Sequence, residues 1–115
     1  MAEKPTNKFA IPAAQALVNI DGAELKEVLD GAEKPVTLGI VLANALLSDV
    51  KPDGVSLNLL DRLELARRMR RGKAVEIKVG TCEAVKKIAS EAYRHAPLIA
   101  GQILELLGDE PSADL

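Results

Sequence analysis

The sequence predicts a mainly α-helical fold: about four helices in one compact domain, with a small β element made of an N-terminal hairpin and a short strand near residues 74–79. Three observations carry this expectation. Apolar residues recur at helical spacing in four successive stretches after residue 36. The turn dipeptides Asp21-Gly22 and Asp30-Gly31 cut the N-terminal third into short pieces. The segment "AVEIKVG" alternates apolar and charged residues, the period of a half-buried strand.

A chain of 115 residues fits a single domain with its own core, without a disulfide or metal staple. Aromatic residues make up only 2%, Phe9 and Tyr93 with no Trp, so the core must be aliphatic. The lone Cys82 excludes an internal disulfide and a multi-cysteine zinc site, and fits a reducing compartment. The opening "MAEKPTNKFAIP" lacks the apolar stretch of a signal peptide, and no apolar run approaches a membrane span. The expected setting is soluble and intracellular, without membrane contact.

Residues 1–8 read as a mobile tail, 9–108 as the single helical domain and 109–115 as an acidic disordered tail. Between the two Asp-Gly turns, "AELKEVL" suits the second arm of a hairpin that starts at Leu17 to Ile20, or one to two helical turns; the hairpin is the preferred reading. Thr37, just after Pro35, is a good N-cap for a first helix, "LGIVLANALLSDV". That helix is apolar almost all round, with Asn44 the exception, so it must be central or covered by a partner. "KPDG" ends it. Ser56 is placed to cap a second helix, "LNLLDRLELARRMRRG", with Leu59, Leu63, Ala66 and Met69 as its core stripe and Gly72 just past its end.

In "AVEIKVG", Val75, Ile77 and Val79 share one side, and the strand is a candidate to pair with the N-terminal hairpin. Thr81 is placed to cap a third helix that buries Val85, Ile88, Ala89 and Ala92, with Glu83 in its first turn. Pro97 fits the first turn of a fourth, whose apolar face is Ile99, Ile103, Leu106 and Leu107 and whose stop is Gly108. The first and fourth helices are expected at the centre, and Gly101 at a close crossing.

The basic run "ARRMRRGK" is the most conspicuous chemistry. On a helical wheel at about 100° per residue, Arg67, Arg68 and Arg71 are expected on the face opposite Leu59, Leu63 and Ala66. Glu64 stands three and four residues before Arg67 and Arg68, at ion-pair spacing. A solvated helix face with cations at its C-terminal end explains most of the cluster. As nucleic-acid contacts, Arg67, Arg68, Arg71 and Lys73 would meet phosphates, with no aromatic residue interleaved to stack on bases and a net charge of −2.

Arg62 falls inside the apolar stripe, where a guanidinium needs a carboxylate or carbonyl partner. Either its stem runs along the core edge to solvent, or it meets an acid across an interface. Leu57 and Leu60 sit on the otherwise polar face, a candidate contact surface.

His95, at the end of the third helix, reads as a helix-end residue. Cys82 stands in a first helical turn, where the dipole lowers a thiol pKa, but it has no base to pair with on the same helix. The scattered aspartates lack the spacing of a calcium loop, and no phosphate loop or serine-hydrolase elbow is present. No catalytic residue, cofactor or metal site is expected, and no small-molecule substrate is evident.

The run "IDGAEL", then "KPVTLGIVLANALLSD", then "LDRLELARRMRRGKAVEIKVGTCEAVKKIASEAYRHAPLIAGQILELLG" resembles a class of short phage and prophage proteins. In these, an Asp-Gly turn leads into a T-L-x-x-V-L-x-N-A-L-L helix. An R-x-x-L-A-x-x-[IM] helix, a V-E-I step and a helix ending in G-Q-x-x-E-L-L follow. The likeness spans residues 17 to 107 or so and contains no catalytic motif. It implies a viral or prophage origin, hence the host cytoplasm or the virion, and carries over no functional residues. The leading functional expectation is a non-enzymatic interaction protein, self-associating or docking on a phage or host protein, such as a virion or assembly accessory. The alternatives are a nucleic-acid-binding regulator and an inhibitor of a host enzyme or defence complex.

Overall fold

A computed structural model describes residues 8–55 and 57–110. Its elements run β1 (Lys8–Ile11), β2 (Lys26–Leu29), β3 (Ala32–Pro35), α1 (Leu38–Leu46), α2 (Leu59–Arg70), β4 (Val75–Lys78), α3 (Val79–Ala92) and α4 (Pro97–Leu106). Four helices are present among the described residues, as expected. The β content is larger than the sequence suggested, with two separate two-stranded antiparallel sheets, β1–β4 and β2–β3.

The N-terminal part contains turns and extended pieces and no helix among the described residues, and residues 23–29 are strand-like. Asp21-Gly22 closes a tight reversal in which Val18 bridges Glu24. Asp30-Gly31 then joins β2 to β3, with Leu29 opposite Ala32. Both turn residues have positive φ, 53° and 79°, the paired left-handed conformation that a two-residue hairpin loop needs. The three extended pieces meet in a closed cycle of backbone bonds. Leu17 N–H donates to Val36, Val36 N–H to Leu25, and Leu25 N–H to Leu17, each at 2.8 Å.

The strand "VEIK" forms as expected, with Val75 and Ile77 buried and Glu76 and Lys78 exposed. Its partner is not the 17–29 hairpin but β1, with Phe9 opposite Ile77. Lys8, assigned from sequence to a tail, is therefore the first residue of a strand. Asp109, assigned to the other tail, is also engaged: Lys86 Nζ lies 2.7 Å from its carboxylate. The remaining residues of those two segments, 1–7 and 111–115, lie outside the described residues, as does the expected cap Ser56.

Helix α1 is the centre of the core. Seven of its nine residues are buried, against α2 on one side and α3 on another. Nine residues are too few for a helix to hold itself in water, so its ends must be anchored. At the N-terminus, Leu38 and Gly39 N–H donate to the carbonyls of Gln15 and Ala13, and Thr37 Oγ1 accepts from Ile40 N–H, as its sequence position predicted. α1 stops at Leu46, short of the expected Val50.

Gly39 lets α1 and α2 cross closely. A methyl group there would collide with the Met69 carbonyl oxygen and press on Ala13. Gly101, expected in that role, is exposed with nothing near its missing side chain. α4 is correspondingly peripheral. It packs on α3 and fully buries only Ile103 within its span, with Leu107 buried just beyond. Pro97 does open it, and Gly108 follows its end with φ of 102°.

Two helix starts differ from expectation. α2 is capped by Asn58, whose Oδ1 accepts from Asp61 N–H at 2.8 Å. α3 begins at Val79, directly out of β4, because Lys78 is still extended and Val79 already helical. Thr81 is thus inside the first turn, Glu83 beyond it, and Val79 exposed instead of continuing the inward side of the strand. Of the expected α3 stripe, Val85, Ile88 and Ala89 are buried and Ala92 partly so. No helix among the described residues is long and apolar enough to cross a membrane.

Candidate functional site

The buried side of α2 is made by Arg62, Leu65, Ala66 and Met69. Arg62 is only 4% exposed, and its partners come from its own chain. Nε donates to the Leu46 carbonyl at 2.7 Å, Nη1 to Val50 at 2.7 Å, and Nη2 to Ser48 at 2.9 Å and Ala45 at 3.3 Å. All four carbonyls belong to the last turn of α1 and the loop after it, where the helix ladder no longer supplies every donor; Ala45 also accepts from Ser48 N–H and Oγ. The guanidinium also sits at the negative end of the α1 dipole. It ends α1 and fixes the start of the following loop. A charge in the apolar stripe is thereby accounted for within the chain, and the interface role considered for Arg62 loses its motive.

Arg62 displaces the apolar residues expected in its place. Leu59, expected in the core stripe, is 74% exposed, and Leu60 beside it is 77% exposed. Leu63 is half-buried. Leu57 precedes the helix and packs partly against the core, so it contributes less free surface than the sequence reading gave it. Leu47, just past the end of α1, is 59% exposed.

These leucines adjoin the basic cluster. Residues 59, 63, 67 and 70 follow one another at helical spacing down one flank of α2, so Arg67, expected opposite Leu59 and Leu63, instead shares their flank and lines a groove with Leu63. Leu47, Leu63 and Ala66 line a shallow groove of about 360 Å³ together with Arg67, Arg70 and Arg71. The groove is open to solvent. Its floor is aliphatic, and its rim carries three exposed guanidinium groups. Arg68 points elsewhere and pairs with Glu64 at 3.4 Å, the expected i, i+4 contact. Among the described residues no carboxylate lies within 4.0 Å of Arg67, Arg70, Arg71 or Lys73. The sequence flagged Arg67, Arg68, Arg71 and Lys73. It missed Arg70, which shares the flank of Leu59 and Leu63, and Leu47, which no periodicity connects to α2.

The remaining reactive side chains do not converge on this groove. Cys82 is buried, and burial pushes its thiol pKa up against the opposing pull of the Lys86 ammonium. Burial thus opposes the activation that a helix N-terminus suggests. Lys86 is held above the usual lysine range by hydrogen bonds to Asp109 and Glu83. Tyr93 donates its hydroxyl to the Val41 carbonyl at 3.0 Å, tying α3 to α1, and burial raises its pKa. His95 is exposed in the turn before α4. Among the described residues, no three His, Cys, Asp or Glu side chains gather at metal-binding distance.

Comparison with models of protein families, with curated protein sequences and with solved structures gave no match.

Proposed function

We propose that this protein is a non-enzymatic docking protein of phage type, a virion or assembly accessory that works in the host cytoplasm or the virion by binding another protein. The observation that carries this reading is the pair Leu59 and Leu60, both about three-quarters exposed on the first turn of α2. They continue through Leu63 into the groove beside Leu47. Single exposed leucines are ordinary on a protein surface. Leu59 and Leu63 along one helix flank, with Leu60 beside them and, below, arginines that meet no carboxylate among the described residues, have the composition of a contact surface.

The test is to co-express the chain with the products of its neighbouring genes and follow the mixture, and the chain alone, by light scattering at micromolar concentration. The expected outcome is a stable complex or oligomer that Leu59→Ser with Leu60→Ser dissolves while the fold stays intact. A clean monomer under all these conditions, with the serine variant indistinguishable, overturns the reading.

A nucleic-acid-binding regulator remains the second reading, supported by four cations, Arg67, Arg70, Arg71 and Lys73, that meet no carboxylate among the described residues. Phosphate-driven binding weakens steeply with salt. A gel-shift titration at low salt that shows no shift removes it.

A further inference from the structure

We infer that the groove between the end of α1 and the second half of α2 receives an acidic amphipathic segment of a partner protein, one bearing carboxylates beside aliphatic side chains. This rests on the docking reading above and specifies the chemistry of its occupant.

Charge complementarity makes the argument. The chain as a whole is acidic, with a formal charge of −2. Arg67, Arg70 and Arg71 nevertheless stand together on one rim, exposed and without a carboxylate within 4.0 Å among the described residues. They follow at i, i+3 and i+4, so their guanidinium groups present a short row that carboxylates one helical turn apart on a partner can meet. Such arginine–carboxylate contacts, often bidentate, favour Arg over Lys for their geometry.

The floor decides between candidate occupants. Leu47, Leu63 and Ala66 offer aliphatic contact and nothing to a sugar-phosphate backbone. Neither aromatic residue of the chain lines the groove to stack on a base. A second copy docking through the same groove sets like charges against each other, since a two-fold interface juxtaposes the same patch on both subunits. An acidic amphipathic helix or strand satisfies both rim and floor.

The probe is a fluorescein-labelled synthetic peptide with glutamates on one helical face and leucines on the other, titrated with the full chain by fluorescence anisotropy. Saturable binding is expected, weakening with salt. Arg67→Glu with Arg70→Glu should lower the affinity at least tenfold, about the loss of one good charged contact, and Leu63→Ser should lower it severalfold. The charge-swapped peptide, with lysines for the glutamates, should bind the double-glutamate variant better than it binds the wild type. Circular dichroism and thermal melting of each variant establish that the fold is kept.

Three results overturn the inference. One is a peptide affinity that the arginine and leucine changes leave alone. Another is a duplex DNA that displaces the peptide while Leu63→Ser has no effect on DNA binding. The third is a dimer in light scattering that the double-glutamate variant abolishes. If the acidic peptide fails but the complex with a gene-neighbour product still forms and still needs Leu59 and Leu60, docking stands and only the acidic occupant falls.

Discussion

Arg62 and Arg70 stand on one helix, two turns apart, and the fold treats them in opposite ways. Arg62 is enclosed, and its guanidinium binds four carbonyl oxygens of its own chain. Arg70 is exposed on the groove rim and meets no acid among the described residues. What separates them is the neighbour each flank of α2 faces. The Arg62 side abuts the end of α1 and the loop after it, whose carbonyls take its donors. The Arg70 side abuts Leu47 and solvent. One arginine is therefore a piece of the architecture and the other an exposed cation with no acid beside it among the described residues, and residue type alone does not distinguish them.

The contrast can be broken at several points. The largest effect is expected at the crossing that brings the two helices together. Gly39→Ala ordinarily gains helix propensity, roughly 1 kcal/mol. Here its methyl meets the backbone of Met69, which cannot step aside as a side chain would, so a net loss of about 3 kcal/mol is expected in urea unfolding. Arg62→Ala comes next, at about 2–4 kcal/mol, because buried carbonyls lose charge-assisted donors. Arg62→Lys should recover only part of that, since one ammonium cannot span four acceptors in a fixed fork. A loss below about 0.5 kcal/mol, the range of an ordinary surface change, would show that water replaces the guanidinium without cost.

Gln102 gives a smaller effect. Its amide accepts from Val18 N–H at 2.8 Å and donates to Val18 carbonyl at 2.6 Å, so Gln102→Ala should cost about 1–2 kcal/mol. Cys82 gives a kinetic readout. With its thiol buried and its pKa raised, disulfide reagents should modify it slowly in the native protein and quickly in urea. At the bottom of the scale, Arg70→Ala and Arg71→Ala should change stability by no more than about 0.5 kcal/mol. If either destabilises like Arg62→Ala, the groove arginines are structural and the contrast collapses.

The parts of the fold legible in the sequence were those written in local chemistry. Thr37, Pro97, Gly72 and the Asp30-Gly31 turn all do what their residue types dictate. The strand "VEIK" was legible from its alternation. Its partner was not, because "KFAI" pairs with it across the chain and carries no local sign of that. β3, "AEKP", is exposed at every position and so has no apolar pattern to read. It is a strand only because the Asp30-Gly31 turn folds it back on β2. The anomaly of Arg62 was visible on the wheel, but its answer lay in carbonyls at the end of another helix. The shift of Leu59 from core to surface follows from the same fact, since the side facing α1 is occupied by the guanidinium. Leu47 in the groove was out of reach as well, because it lies beyond α1 and only the packing of two helices brings it beside Leu63 and Ala66.

The bond between Gln102 and Val18 joins residues 84 apart in the chain, and β1 pairs Lys8 with Lys78. Both closures hold the N-terminal strands through segments that a ribosome makes much later. During synthesis, β1 has no strand to pair with until β4 has emerged, and the hairpin region has no anchor from α4 until the chain is nearly complete. Such long-range pairing slows folding, because loop closure must precede the contacts that reward it. The N-terminal third therefore spends its early life exposed. With Ile20 and Val28 on its surface even in the finished fold, that stretch is where nascent chains should first stick to one another, or to a chaperone.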